Sequence, residues 1–177
     1  FSFYKVTKKM DTNLKSYSII SISLIFFIVL DLISFSQTVD QIKPALFLLS
    51  FIYWNIALPE RMNLFFAFIF GFLMDFIQGT VLGLYPLILV FISYLSQRFF
   101  YQFRPLKFVQ QAAVIFLIFL VIRFLIAVDL NDSNLNSLTL ADKEYVLISL
   151  AFAVLNALIW SPLFYVHRIY RRKWIKT

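Results

Sequence analysis

The sequence predicts an all-α integral membrane protein with six transmembrane helices and both termini in the cytoplasm. Three observations carry that prediction. Of 177 residues, 62% are hydrophobic and 14% are charged, against roughly 45–50% and 25% in soluble domains. The apolar residues gather into six runs, at 17–35, 44–58, 64–77, 81–99, 108–128 and 145–166. The charges between the runs are distributed as a membrane protein distributes them. A small soluble fold has no interior for 23 phenylalanines and this much aliphatic surface. The solvent is therefore mostly lipid.

Absences narrow the chemistry. Cys is missing and His167 is the sole histidine, which removes disulfides, thiolate nucleophiles and histidine-cluster metal sites. Three glycines leave no repeated Gly-rich nucleotide loop. No serine has a plausible histidine base, so neither catalysis nor a cofactor is expected. The net charge of +7 suggests nucleic acid in a soluble protein. In a membrane protein it is first an orientation signal, and no nucleic-acid partner is expected.

Residues 1–16 form a basic segment in which Lys5, Lys8, Lys9 and Lys15 outweigh Asp11, net +3. The chain begins with Phe, so Met10 is a candidate native start and the first nine residues read as foreign. No small-residue cleavage site follows the first run, which reads as a retained anchor. Runs one, four, five and six reach the ~20 residues a spanning helix needs. Runs two and three hold about 14–15 residues and need flanking polar residues to span. The alternative is a four-helix protein in which those two runs form a re-entrant hairpin.

Loop charge decides between parities. Arg98, Arg104 and Lys107 give +3 between runs four and five. The tail at 167–177 carries Arg168, Arg171, Arg172, Lys173 and Lys176, net +5. Between runs five and six, Asp129, Asp132, Asp142 and Glu144 outweigh Lys143, net −3. The positive-inside rule puts the N-terminal segment, 98–107 and the tail in the cytoplasm. The loop with Asp132, Asn134 and Asn136 then faces outward. Six crossings satisfy this and five do not. Phe99, Phe100, Tyr101 and Phe103 flank Arg98 and Arg104, and Tyr165, Tyr170 and Trp174 flank the basic tail, as aromatic belts do at an interface. The transmembrane domain is 17–166, with no internal repeat or linker.

Four ionisable residues interrupt or end the apolar runs: Asp31, Asp75, Arg123 and Asp129. Charge in lipid is costly and needs a reason. The topology puts all four in the outer half of the bilayer, a depth that allows one outward-facing polar cavity. Asp31 and Asp129 are also placed to meet interfacial water. Asp75 is expected on the inward face of the bundle with a cationic or hydrogen-bonding partner. Arg123 leads, and a backbone near Gly79 or Tyr85 is the alternative. All three glycines surround Asp75: Gly71, Gly79 and Gly83. Spacing of four puts Gly71 and Asp75 on one helix face, where Gly71 permits close helix approach. Gly79 and Gly83 suit a tight turn. Ser149, Ala153, Asn156, Ala157 and Trp160 form a small and polar stripe on the last helix, suited to packing against another helix. His167 falls in the basic tail.

The order Pro44, Tyr53-Trp54, Ala57-Leu58-Pro59, Arg61, Asn63, Gly71, Asp75, Gly79, Leu82-Gly83, Tyr94 and Phe103-Arg104 resembles the bacterial rod shape-determining MreD family. The most specific part is Gly-x-x-x-Asp-x-x-x-Gly-x-x-Leu-Gly with the upstream Ala-Leu-Pro-x-Arg. The resemblance covers 44 to about 111 in detail and the remaining helices in character. It implies a six-helix, multi-pass inner-membrane protein without enzymatic activity, whose bundle is similar to the S components of ECF-type vitamin transporters. It implies a role in organising peptidoglycan synthesis and rod shape within the Rod (elongation) machinery. The implied partners are MreC, RodA with a class B penicillin-binding protein, and the MreB filament. Membrane lipids and a second copy of the chain are further candidates. The positions that carry over are Asp75, Gly71, Gly79, Gly83, Pro59 and Arg61; with Tyr53 and Trp54 of the matching order, and Asp31 and Arg123 from the buried charges, they are the candidate pocket or partner-contact residues. The competing function is a vitamin-capturing S component. Those often carry Ala-x-x-x-Ala on helix one, where this chain has no Ala.

Overall fold

A computed structural model describes residues 2–99, 105–132 and 143–174, with backbone alone for 2–14, 37–38 and 128–132. All regular structure among the described residues is helical. The elements are α1 (Ser2–Asp31), α2 (Gln37–Ile42), α3 (Leu46–Ala57), α4 (Leu64–Gln78), α5 (Leu84–Arg98), α6 (Phe108–Asp132) and α7 (Lys143–Trp174). Each apolar run yields one helix of at least 12 residues, and α2 is a single short helix in the first connection. Asn134, Asn136, Asp142 and Arg104 lie outside the described residues, as do the side chains of Asp129 and Asp132.

The short second run has a structural reason. α3 is 12 residues long and buried from Phe47 through Ala57. A helix that is apolar all round belongs in the interior, and α3 packs against α1, α5 and α7. α4 pairs chiefly with α5 and meets α3 where Phe70 stacks on Phe47, ring centroids 6.3 Å apart. The 15-residue α4 and α5 are each roughly 22 Å long, shorter than the ~30 Å hydrocarbon core. α6 and α7 are long and apolar enough to cross it.

Two helices exceed the apolar runs. α1 begins at Ser2, well before Tyr17. α7 continues through the expected tail to Trp174, with Pro162 inside it. His167, read from sequence as part of a solvated tail, is 2% exposed. The cause is periodicity. Ser149, Ala153, Asn156, Trp160, Leu163 and His167 follow one another at intervals of four and three, and all are buried. The polar stripe is the inner face of α7, and it runs three residues and more past Trp160.

The helices alternate in direction. Asp31 at the end of α1, Leu48 early in α3, Gln78 at the end of α4, Tyr85 early in α5, Arg123 late in α6 and Phe152 early in α7 line one cavity. At the far end, Arg171 donates to the Ala57 carbonyl at 3.3 Å, Trp160 donates to Gln111 at 3.2 Å, and Gln97 donates to the Met62 carbonyl. The core between the ends is built on Trp54, Trp160, Tyr53, Phe47, Phe51 and Phe119.

Candidate functional site

The cavity at the carboxylate end measures about 430 Å³. Asp31 lines it, Asp75 lies behind it, bonded to the lining residues Thr80 and Tyr85, and both carboxylates serve helix starts. Asp31, the last residue of α1, accepts from the backbone N–H groups of Leu46 at 3.1 Å and Phe47 at 2.9 Å. These are donors of the first turn of α3, which has no side-chain cap of its own. In the reverse direction Lys43 donates to the carbonyls of Asp31 and Ile33, closing the end of α1 where cations are favoured. The first connection is further tied by Asp40, which accepts from Ser34 and Phe35. Those two bonds hold the Asp40 carboxyl below the usual carboxylate range.

Asp75 does the equivalent work for α5. It accepts from the Gly83 N–H at 2.6 Å, the Tyr85 N–H at 3.0 Å and the Thr80 hydroxyl at 2.9 Å. It is 2% exposed. The sequence explains why one carboxylate suffices here. Pro86 has no N–H to satisfy. Leu84 N–H donates to Val81, and Leu87 N–H donates to Gly83. Only Gly83 and Tyr85 remain in that turn, and Asp75 takes both. The connection is shaped by glycine at two points. Gly79 has φ +65° and ends α4, its N–H bonding the Asp75 carbonyl. Gly83 has φ +111° at the start of α5. Both lie in the region glycine alone enters freely.

Gly71 fixes how closely the two helices approach. A Cβ built there would stand 2.3 Å from the Pro86 Cα and 2.9 Å from the Tyr85 carbonyl carbon. Gly71, Asp75 and Gly83 therefore act on one hairpin: the first lets α5 in, the second satisfies its N-terminus, and the third makes the turn.

The expected ion pair between Asp75 and Arg123 is not formed among the described residues. The Asp75 carboxylate is occupied by α5 and Thr80. The Arg123 guanidinium donates to the Gln41 carbonyl and lies over the Phe152 ring, 4.6 Å from its centroid. Tyr145 donates to the Arg123 carbonyl at 2.9 Å. Tyr85, whose N–H bonds Asp75, lines the same cavity as Asp31 and Arg123. Asp75 thus follows the alternative, a backbone at Tyr85. Backbone donors are fixed in place by the turn, whereas a guanidinium must find its own geometry.

The remaining predicted residues lie elsewhere. Tyr53 and Trp54 are interior residues of α3, and both meet the His167 ring, at 4.8 and 6.0 Å. Trp54 also reaches the Ser23 hydroxyl at 3.4 Å. Pro59 and Arg61 form the turn into α4, which Asn63 caps by accepting from Phe66 at 2.8 Å. Arg61 is therefore at the opposite end from Arg123.

Two groups that line the cavity, Lys43 and Thr80, escaped the sequence reading, and Tyr85, named there only for its backbone, lines it as well. Lys43 was detectable as the one cation between two apolar runs beside Asp31. Asn156, seen only as part of the α7 stripe, accepts from the Ala45 N–H at 3.0 Å and ties the start of α3 to α7.

The fold can be set beside known proteins. The family model for rod shape-determining protein MreD matches residues 10–170. The rod shape-determining protein MreD of Haemophilus influenzae is 30% identical over 160 residues, spanning 90% of this chain and 94% of that protein. No solved structure matches.

Proposed function

The chain belongs to the MreD family of rod shape-determining proteins, and on that premise we propose that it is a non-enzymatic, multi-pass scaffold of the bacterial inner membrane. Its work is to help organise peptidoglycan synthesis along the rod by holding MreC beside RodA and its class B penicillin-binding protein, in step with the MreB filament. The observation that carries the reading is the extent of the family match, 10–170, which reaches into all six helices of at least 12 residues. A role in rod shape follows from the family. The choice of MreC as direct partner is the finer proposal.

The site geometry supports a scaffold over a catalyst. Asp31 and Asp75 each accept from two backbone N–H groups, so both oxygens of each carboxylate are engaged in holding a helix start. Orientation follows from charge. Arg61, Lys107, Arg168 and Arg171 belong to the end opposite Asp31 and Asp75, so positive-inside logic turns that end to the cytoplasm. Six crossings with both termini inside fit the alternating helices.

Affinity purification of the full-length protein from a rod-forming host tests the partnership. MreC should be retained in detergent. Recovery of an energy-coupling module in its place, or turnover of lipid II by the purified protein alone, would overturn the scaffold reading.

A further inference from the structure

At the basic end, two cavities share a wall. One measures about 390 Å³ and is lined by Tyr53, Ala57, Gln111, Phe164, Arg168 and Arg171 among others. The second measures about 410 Å³, and its lining, including Ile52, Leu95, Val114 and Ile118, is almost wholly apolar. Ile56 and Leu106 line both. Each is within the ~300–1,000 Å³ of small-ligand sites. Two arginines line the polar cavity, and among the described residues no acidic side chain does. Arg171 is steadied by its bond to the Ala57 carbonyl. The first turn of the 25-residue α6, the positive end of its dipole, opens on the same space through Phe108 and Gln111.

The level of this pair of cavities is also marked. Arg168 and Arg171 stand on α7 between Tyr165 and Trp174, which are exposed at 64% and 58%. Aromatic side chains of that kind settle at the headgroup level of a bilayer. The polar cavity therefore sits at headgroup depth, with the apolar cavity beside it.

We propose that the two cavities form one site for an anionic phospholipid. The headgroup phosphate lies against Arg168 and Arg171, and an acyl chain enters the apolar cavity past Ile56 and Leu106. Charge selects an anion, and the adjoining apolar cavity selects an amphiphile over a free anion. Basic pockets between membrane helices bind anionic headgroups in this way. The site needs only the membrane setting and is independent of the partnership with MreC.

Native mass spectrometry of the full-length protein tests the proposal, with phosphatidylglycerol and phosphatidylcholine of equal chain length as probes. One phosphatidylglycerol should be retained in preference. Arg168→Gln with Arg171→Gln should lower that preference by about thirtyfold. Arg172→Gln with Lys173→Gln removes the same charge from exposed positions outside the cavity and should leave it near wild type. Equal loss in both double variants would reduce the effect to the general charge of α7 and overturn the site. Equal retention of the two lipids would overturn it as well. Inorganic phosphate should not displace the lipid at millimolar concentration. Displacement would assign the cavity to a free anion and defeat the lipid reading.

Discussion

Gly71 presents its bare Cα to Pro86, so that a single added carbon would lie 2.3 Å from the Pro86 Cα. This contact sets the spacing of α4 and α5, and hence whether Asp75 reaches the start of α5. Close approach, carboxylate and turn are one device written into sixteen consecutive residues, Gly71 to Pro86.

Gly71→Ala should therefore be the most damaging of the glycine substitutions. The clash is with backbone, which has no flexible end to move, and overpacking costs about 1–3 kcal/mol or more. Gly79→Ala meets open space but holds φ +65°, at about 1–2 kcal/mol. Thermal unfolding in one detergent compares them. A Gly71→Ala protein at least as stable as Gly79→Ala would refute the packing account.

Asp75→Ala strands the Gly83 and Tyr85 N–H groups in a buried turn, at about 1–3 kcal/mol. Asp75→Asn keeps one acceptor oxygen and should recover part of the loss. Combined with Arg123→Ala, the effect should be additive, because the two side chains share no bond. A coupling well above about 0.5 kcal/mol between Asp75 and Arg123 would restore the ion pair.

Arg123 should couple to Phe152 instead. The guanidinium lies 4.6 Å from that ring centroid, and a cation over an aromatic ring is worth about 0.5–2 kcal/mol. A double-mutant cycle with Arg123→Gln and Phe152→Leu reads this term directly. Zero coupling would show that the stacking contributes nothing.

Much of this was readable before the structure. Six apolar runs give six helices of at least 12 residues, and an interval of four between Gly71 and Asp75 gives their shared face. The partner of Asp75 was harder. Burial depth of a charge can be estimated from hydropathy, but the competing donors were backbone N–H groups, which every residue carries. The usable signal was Pro86, which marks a helix start whose free donors need an acceptor. His167 was misplaced because adjacent arginines outweighed a heptad-like spacing that continues from Ser149. The short α2 and the Lys43 bonds depend on how the first connection folds back, which no periodicity in 32–45 encodes.

The proposed topology rests on the charge distribution and is tested by cysteine labelling in this Cys-free chain. A Cys at Arg172 should be protected from a membrane-impermeant reagent in intact cells, and one at Asn134 should be labelled. The reverse pattern would invert the protein in the membrane.

The central claim is a role in rod shape, and depletion in a rod-forming host measures it most directly. Cells should lose their rods and become round, and re-expression of the wild-type chain should restore them. Depleted cells that keep dividing as rods of unchanged width would contradict the account.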